Sequence, residues 1–530
     1  MDHLIILPIV LPLFAGAALV LIEDRHHTAK LLVSIAATLG LVLVSLMLLA
    51  RTGADATQLT ITYQLGNWPV PYGIALVADG LSAMMVALTS VLALGSILFS
   101  AARWHRAGQH FHTLFQLLLM GINGAFLTGD LFNLFVFFEV MLAASYGLAL
   151  HGSGRSRVKA SLHYIVVNLA TSSLFLIGAT AIYGVTGTLN IADLAVRIPL
   201  LGPSDQTMLL AGAGVLGIAF LVKAGMWPLG MWLPTTYAAA APPVAAMFAI
   251  MTKVGVYVVL RLTTVLFGEG SGPGEHMGAI ALQYGGLATL LFGTIGVLAS
   301  QGIARIACFS VLVSSGTLLA MVGYENAAVT AGALYYLVSS TLGIACLFLL
   351  VELMERGRSA GDDVLAITLE AYGDDEEPAH EGEVGVATPG TFAALGIAFV
   401  CCAILVAGMP PLSGFLGKFA MISALLDVGV DGIPVVVWLA VVALVISGLA
   451  ATVSLMRSGI NTFWVSLDGV IPAVRGVEIA AVVLLLGAGI AMTVFAQPVM
   501  SFMEHASGAL YSPGEYARSV FATAGTGGKQ

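Results

Sequence analysis

Apolar runs about twenty residues long follow one another along most of this 530-residue chain, and that pattern leaves few folds open. A helical run of that length matches the ~30 Å hydrocarbon core of a bilayer. In lipid, backbone N–H and C=O groups are satisfied within a helix or around a closed barrel. The ten-residue alternation of barrel strands is absent, so helices remain. Reading the runs in order predicts fourteen spans: 3–22, 30–50, 77–101, 112–128, 131–150, 160–185, 207–226 continuing to 238, 243–263, 277–299, 303–322, 328–353, 391–409 continuing to 427, 434–457 and 476–497. The expectation is an all-α polytopic membrane protein with a single membrane domain over 1–530.

Composition narrows the functions. Only 9% of residues are charged, against about 25% in soluble chains, and mean hydropathy is +0.99. Much of the net charge of −9 belongs to one acidic stretch between the eleventh and twelfth spans, within 355–390, which reads as a solvated cytoplasmic loop. No basic stripe points to nucleic acid. Cys308, Cys346, Cys401 and Cys402 all lie in apolar segments, without Cys-x-x-Cys or Cys/His clustering, and read as packing residues. No nucleotide loop, haem ligand or catalytic dyad is present, so neither a cofactor, a metal centre nor enzymatic chemistry is expected of this chain. The first run follows Met1-Asp2-His3, with no basic flank, and reads as a span in place of a cleaved signal.

The basic residues give the map a direction. Placing the N-terminus outside puts Arg25, Lys30, Arg103, Arg106, Arg155, Arg157, Lys159, Arg305, Arg356, Arg358, Arg457 and Arg475 on the cytoplasmic side. The outer side receives Arg51, Arg197, Arg261, Arg518 and Lys529. Twelve against five is the asymmetry of the positive-inside rule, with both termini outside.

Three lysines remain, all inside apolar runs: Lys223, Lys253 and Lys418; Glu139 joins them. Each such group near mid-bilayer costs roughly 2.5–3.5 kcal/mol, about 10 kcal/mol for the four, unless pairing or a wet cavity offsets it. Intramembrane charges of this kind mark an ion or proton pathway. Burial disfavours the charged form of lysine and glutamate alike, while an opposite charge nearby favours it. A lysine whose partner comes and goes is therefore a switchable proton carrier, a task arginine cannot perform because it does not deprotonate. Other polar groups have plainer readings: Asp79 and Asp130 as helix N-caps, His163 as an interfacial side chain. His105, His110 and His112 are also interfacial, with no carboxylate or cysteine cluster to complete a metal site.

Two spans, the seventh and the twelfth, are interrupted. Lys223-Ala-Gly-Met-Trp-Pro228-Leu-Gly, with Pro234 following, breaks one; Gly408-Met-Pro410-Pro411-Leu-Ser-Gly414 breaks the other. Proline removes a backbone donor and clashes with the preceding turn. Paired interrupted helices point to a transport site between inverted repeats, expected here at 112–263 and 277–457. The lysines are out of phase, since Lys223 precedes Pro228 by five residues and Lys418 follows Pro410 by eight.

Taken together, FNLFVFFEVM around Glu139, VKAGMWPLGMWLP after Lys223, Lys253 in the eighth span and GMPPLSGFLGKF leading to Lys418 resemble the antiporter-like subunits of respiratory complex I and of Mrp multisubunit cation/proton antiporters. The resemblance covers roughly residues 75–455. Length, Lys418 and the acidic insertion look most like the D-type subunit of the Mrp antiporters. The resemblance implies that Glu139, Lys223, Lys253 and Lys418 form half-channels and a central hydrophilic axis. It implies an ion-translocating subunit of a sodium/proton antiporter in a bacterial inner membrane, with other membrane subunits, protons and monovalent cations as partners. A proton-pumping subunit of complex I or of a membrane-bound hydrogenase is the alternative; a scaffold whose charges only hold helices together is a second.

Overall fold

The computed structural model describes residues 3–23, 25–53, 60–152, 154–356, 390–427, 433–463 and 474–526. Most of the acidic 355–390 stretch lies outside the described residues. The chain is helical almost throughout, and each predicted span coincides with a helix. These are α1 (Leu7–Leu21), α2 (His27–Arg51), α3 (Gly80–Ser100), α4 (Phe111–Leu127), α5 (Leu131–Ala149), α6 (Arg155–Thr186), α8 (Pro203–Ala224) continued by α9 (Leu233–Ala239), α10 (Pro242–Leu266), α11 (Ala279–Ala299), α12 (Ile303–Val322), α13 (Ala327–Glu355), α14 (Gly390–Ala407) continued by α15 (Ser413–Leu426), α16 (Val435–Phe463) and α17 (Gly476–Val494). Twelve are long and apolar enough to cross a bilayer, while α1 and α4 are shorter apolar helices. At 1.5 Å per residue those two reach about 22 and 26 Å, a modest mismatch that local thinning or flanking residues absorb.

α10 is buried along its whole apolar length and α13 nearly so, whereas α2, α6 and α14 keep wide exposed faces. A helix apolar all round belongs at the centre, so the charged residue on α10, Lys253, is enclosed by protein. Several elements were not legible as spans. A short antiparallel hairpin, β1 (Thr60–Gln64) with β2 (Ala75–Asp79), pairs Thr60 with Asp79. α7 (Ile191–Arg197) joins it at the same end of the bundle, as do α18 (Ala496–Leu510) and α19 (Pro513–Thr526).

Both interruptions share a local cause. Gly225 and Gly408 follow the last helical residue with φ of 76° and 71°, the left-handed cap that glycine adopts without a Cβ penalty. The next N–H folds back onto the helix: Met226 N to Leu221 O at 3.0 Å, and Met409 N to Ile404 O at 3.1 Å. Trp227 N is taken by Thr289 Oγ1 of α11 at 2.8 Å, so the unwound backbone is satisfied by protein. Pro228, Pro410 and Pro411 lie in these breaks, but Pro234 does not break a helix. It sits in the first turn of α9, where its missing N–H is an orphan in any case.

Candidate functional site

The predicted charges fall on different helices that converge inside the bundle. Glu139 is on α5, Lys223 in the last turn of α8, Lys253 midway along α10 and Lys418 on α15. All three lysines are buried, Lys253 almost completely, while Glu139 is half-buried.

Glu139 and Lys223 line one narrow cavity with Phe135, Phe138, Ser172 and Phe220. They do not form the direct ion pair that a purely structural reading of Glu139 requires. The α6 face between them holds each charge separately. Ser172 Oγ donates to Glu139 Oε1, and Lys223 Nζ donates to Asn168 Oδ1. Asn168 and Ser172 are four residues apart, one helical turn or about 6 Å, so α6 keeps two opposite charges within mutual influence but out of contact. Lys223 Nζ also lies 5.9 Å from the centre of the Phe138 ring.

From Lys253 a line of hydroxyls runs on. Lys253 Nζ donates to Ser315 Oγ at 3.3 Å. The neighbouring Ser314 shares a hydrogen bond with Ser340 at 2.9 Å, linking α12 to α13. Ser340 then lines a largely enclosed cavity with Ser310, Tyr336, Ser447 and Lys418. Ser339 bonds Ser413 at 2.8 Å, which anchors the start of α15 beside the second break.

Lys418 Nζ donates to Ala407 O at 3.1 Å, the carbonyl of the last residue of α14. This reconciles the phase difference between the two breaks. Lys223 lies in the final turn of the first half-helix, and Lys418 reaches back from the second half-helix to the same position. The Lys418 ammonium thus meets the C-terminal end of an interrupted helix, where unsatisfied carbonyls favour a cation, while Lys223 sits in the last turn of the other half-helix and donates to Asn168. Close helix approach fixes the arrangement: a Cβ on Gly255 would sit 2.6 Å from Ala224 N.

Sequence reading missed Asn168, Ser172, Ser314, Ser315, Ser340 and Tyr336. Their signal was present as small polar residues at four-residue spacing inside apolar runs, such as Ser310 and Ser314. Asp79 and Asp130 do cap helices, accepting from Ser82 N and Asn133 N, each at 2.9 Å. Capping is only part of Asp79's role, however. Arg261 on α10 pairs with it bidentately, with Nη2 to Oδ1 at 2.8 Å, and Tyr257 OH completes the network by donating to Phe126 O at 2.6 Å. At the opposite end, buried Glu352 binds Arg103 at 2.5 Å and Arg356 at 2.6 Å, and Arg356 also binds buried Glu478 at 2.6 Å. Glu139 is therefore not the sole carboxylate within the helices, although these two are committed to arginines. His163 is exposed. Among the described residues no group of three His, Cys, Asp or Glu is placed to hold a metal.

A bundle of long apolar helices with two glycine-capped interruptions and a buried lysine series defines a polytopic ion-translocating membrane protein. Residues 128–447 match the NADH:quinone oxidoreductase/Mrp antiporter transmembrane family, and the chain belongs to that family. It is 56% identical, over 98% of both chains, to the D-type subunit of a "Probable K(+)/H(+) antiporter" of Rhizobium meliloti (strain 1021). It is 37% identical, over 88% of this chain and 87% of the relative, to the D-type subunit of the Na(+)/H(+) antiporter of Alkalihalophilus pseudofirmus. In structure it is similar to a chain of the Mrp complex from Dietzia sp. DQ12-45-1b, with a TM-score of 0.83 and 26% identity over 98% of this chain and 100% of that one. A chain of respiratory complex I from Thermus thermophilus shares the fold at a TM-score of 0.71, with 21% identity over 96% and 99% of the two chains.

Proposed function

We propose that the chain is a D-type, ion-translocating subunit of a multisubunit monovalent cation/proton antiporter, moving protons through Glu139, Lys223, Lys253 and Lys418. The observation that carries this reading is the α6 face that separates Glu139 from Lys223 by one turn. A closed ion pair would hold its proton permanently. A pair poised out of contact needs only a small shift to join or part, and the protonation of Lys223 follows. Beyond Lys223, α10 presents Lys253, and the hydroxyls of Ser315, Ser314 and Ser340 lead toward Lys418. Hydroxyl groups both donate and accept, so they suit a relay between cations that cannot touch. The like ends of the two breaks support inverted repeats at 112–263 and 277–457, with the site between them.

The relative sharing 56% of residues is named for potassium, and this favours K⁺ over the Na⁺ expected from sequence as the exchanged ion. The reading makes the chain a transporter subunit of a bacterial inner membrane, acting within a hetero-oligomer and without a cofactor. The clusters at the bundle ends agree with the positive-inside orientation. Arg103, Arg356 and Arg475, all expected on the cytoplasmic side, meet around Glu352 and Glu478, while Arg261 meets Asp79 at the other end.

The test is exchange by vesicles containing the whole complex, with assembly checked by blotting. The isolated chain should show little exchange. Lys223→Arg keeps the charge but raises the cost of proton release by at least two pH units, so exchange should fall about 100-fold or more, close to Lys223→Ala. Normal exchange by Lys223→Arg would reduce the lysine to an electrostatic anchor and overturn the relay.

A further inference from the structure

A second polar cavity lies at the bundle end carrying Arg103, where α4 begins. It is formed where the α1–α2 connection meets the α3–α4 connection, and its walls include Arg25, His27, Lys30, Arg106, His110 and His112. Three basic residues and several histidines line it, and no acidic side chain is among its described walls. Glu23 stands nearby, paired with Arg25 at 2.5 Å on the exposed rim.

We propose that this cavity binds the phosphate group of an acidic phospholipid.

Two helices begin here. α2 starts at His27 and α4 at Phe111, and neither N-terminus is capped by a side chain. Their first-turn N–H groups and the positive ends of both helix dipoles therefore face the same region, an arrangement that favours an anion. The residue ahead of α4, His110, adopts φ of 60°, which turns the chain sharply into the helix.

The independent observation is His112. Its side chain is 3% exposed, it lines the cavity, and neither ring nitrogen has a hydrogen-bond partner among the described residues. A buried polar group left unmatched carries a desolvation penalty, and a ligand that accepts from the ring removes it. His105 is not available for this. Its Nδ1 contacts Ser100 O at 3.0 Å, and its Nε2 accepts from Arg106 Nε at 3.1 Å. That pattern fixes a neutral His105 ring, consistent with burial holding its pKa below the usual histidine range. The His105 and His112 rings are 5.8 Å apart, and of the two it is His112 that has a ring N–H left to donate.

The location favours a lipid over a soluble anion. The opening lies at a bundle end, and α2 descends from it with Leu32, Leu39, Leu43 and Leu46 exposed along its outer side. Acyl chains of a lipid whose phosphate sits at the helix N-termini would lie along that face. Basic pockets between transmembrane helices at a membrane surface commonly hold anionic headgroups.

The test uses the purified, delipidated whole complex. Its apparent Tm is measured at a fixed scan rate after adding vesicles of phosphatidylglycerol or cardiolipin, vesicles of phosphatidylcholine, or millimolar inorganic phosphate. Acidic lipid should raise the Tm more than phosphatidylcholine, and phosphate alone should not. Arg106→Gln, at an exposed position, and His112→Leu should each lose at least half of that acidic-lipid shift. Arg518→Gln, on the opposite end, should retain it. Native mass spectrometry should show fewer retained acidic lipids in the first two variants. Equal shifts in all variants, or equal effects of phosphatidylcholine, overturn the site. Full protection by inorganic phosphate would make the occupant a soluble anion and overturn the lipid assignment.

Discussion

Gly255→Ala probes the contact that sets two of the buried lysines against each other. Gly255 lies two residues beyond Lys253 on α10 and faces the last turn of α8. A Cβ there would lie 2.6 Å from Ala224 N and 3.0 Å from the Lys223 carbonyl carbon. Non-bonded heavy atoms settle near 3.5–4.0 Å, so the two backbones must part by about 1 Å. Neither atom belongs to a flexible side chain that could swing aside. Overpacking of this kind costs ~1–3 kcal/mol. Alanine returns ~1 kcal/mol of helix propensity, leaving a net loss of up to ~2 kcal/mol. Function should suffer more than stability, because α8 pressed toward α6 shifts Lys223 against Asn168, whereas α10 moving away carries Lys253 from Ser315. A displacement of 1 Å in a positioned group costs on the order of 100-fold in rate, and exchange should fall 10- to 100-fold. The assay is cation/proton exchange in vesicles of the whole complex, alongside apparent Tm. Gly217→Ala on α8 is the control, since a Cβ there meets nothing within 4 Å and should leave Tm unchanged or higher. Wild-type exchange and Tm in Gly255→Ala would refute the claim that α8 and α10 are held at this distance for the lysines' sake.

Asn168→Asp places a carboxylate where Lys223 now meets an amide, which should hold the lysine protonated; exchange is expected to drop at least tenfold with assembly intact on blots. Asp79→Ala strands the buried Arg261 and should cost ~3–5 kcal/mol, visible as a lower apparent Tm, whereas Asp79→Ala combined with Arg261→Leu should recover part of it. His276, in the α10–α11 connection, bonds Glu325 between α12 and α13, and that hydrogen bond and charge raise its pKa. A raised histidine pKa stabilises fully below about 6.5, the unfolded value, and the gain disappears as pH rises through the folded value. His276→Gln should therefore lower the Tm slightly in acid and match wild type in alkali, a small effect because the pair is exposed. Deleting 372–385, which carries six carboxylates, should reduce exchange less than threefold if that stretch is a solvated loop; loss of partner subunits in a pull-down would give it a docking role.

The sequence alone determined the membrane spans, the two interruptions and the four charges, because each rests on a cost that lipid imposes locally. A run of apolar residues has to be helical in a bilayer, a glycine followed closely by proline within such a run breaks it at Gly225 and Gly408, and a lysine among leucines has to be enclosed. Pro234 shows the limit of such reasoning: the same residue type opens a helix when it falls in the first turn. What sequence left undecided was partnership. Asn168 and Ser172 are unremarked polar residues in an apolar run until α5 and α8 bring Glu139 and Lys223 to the same face of α6. Lys223 and Lys418 stand at unlike distances from their prolines, and only the packing of α14 against α15 lets Lys418 reach Ala407 and occupy the matching helix end. Arg261 joins Asp79 across 182 residues of chain. Hydrogen bonds and ion pairs between distant segments depend on which faces meet, and the apolar periodicity that places a helix in the membrane is too uniform here to say which way it turns.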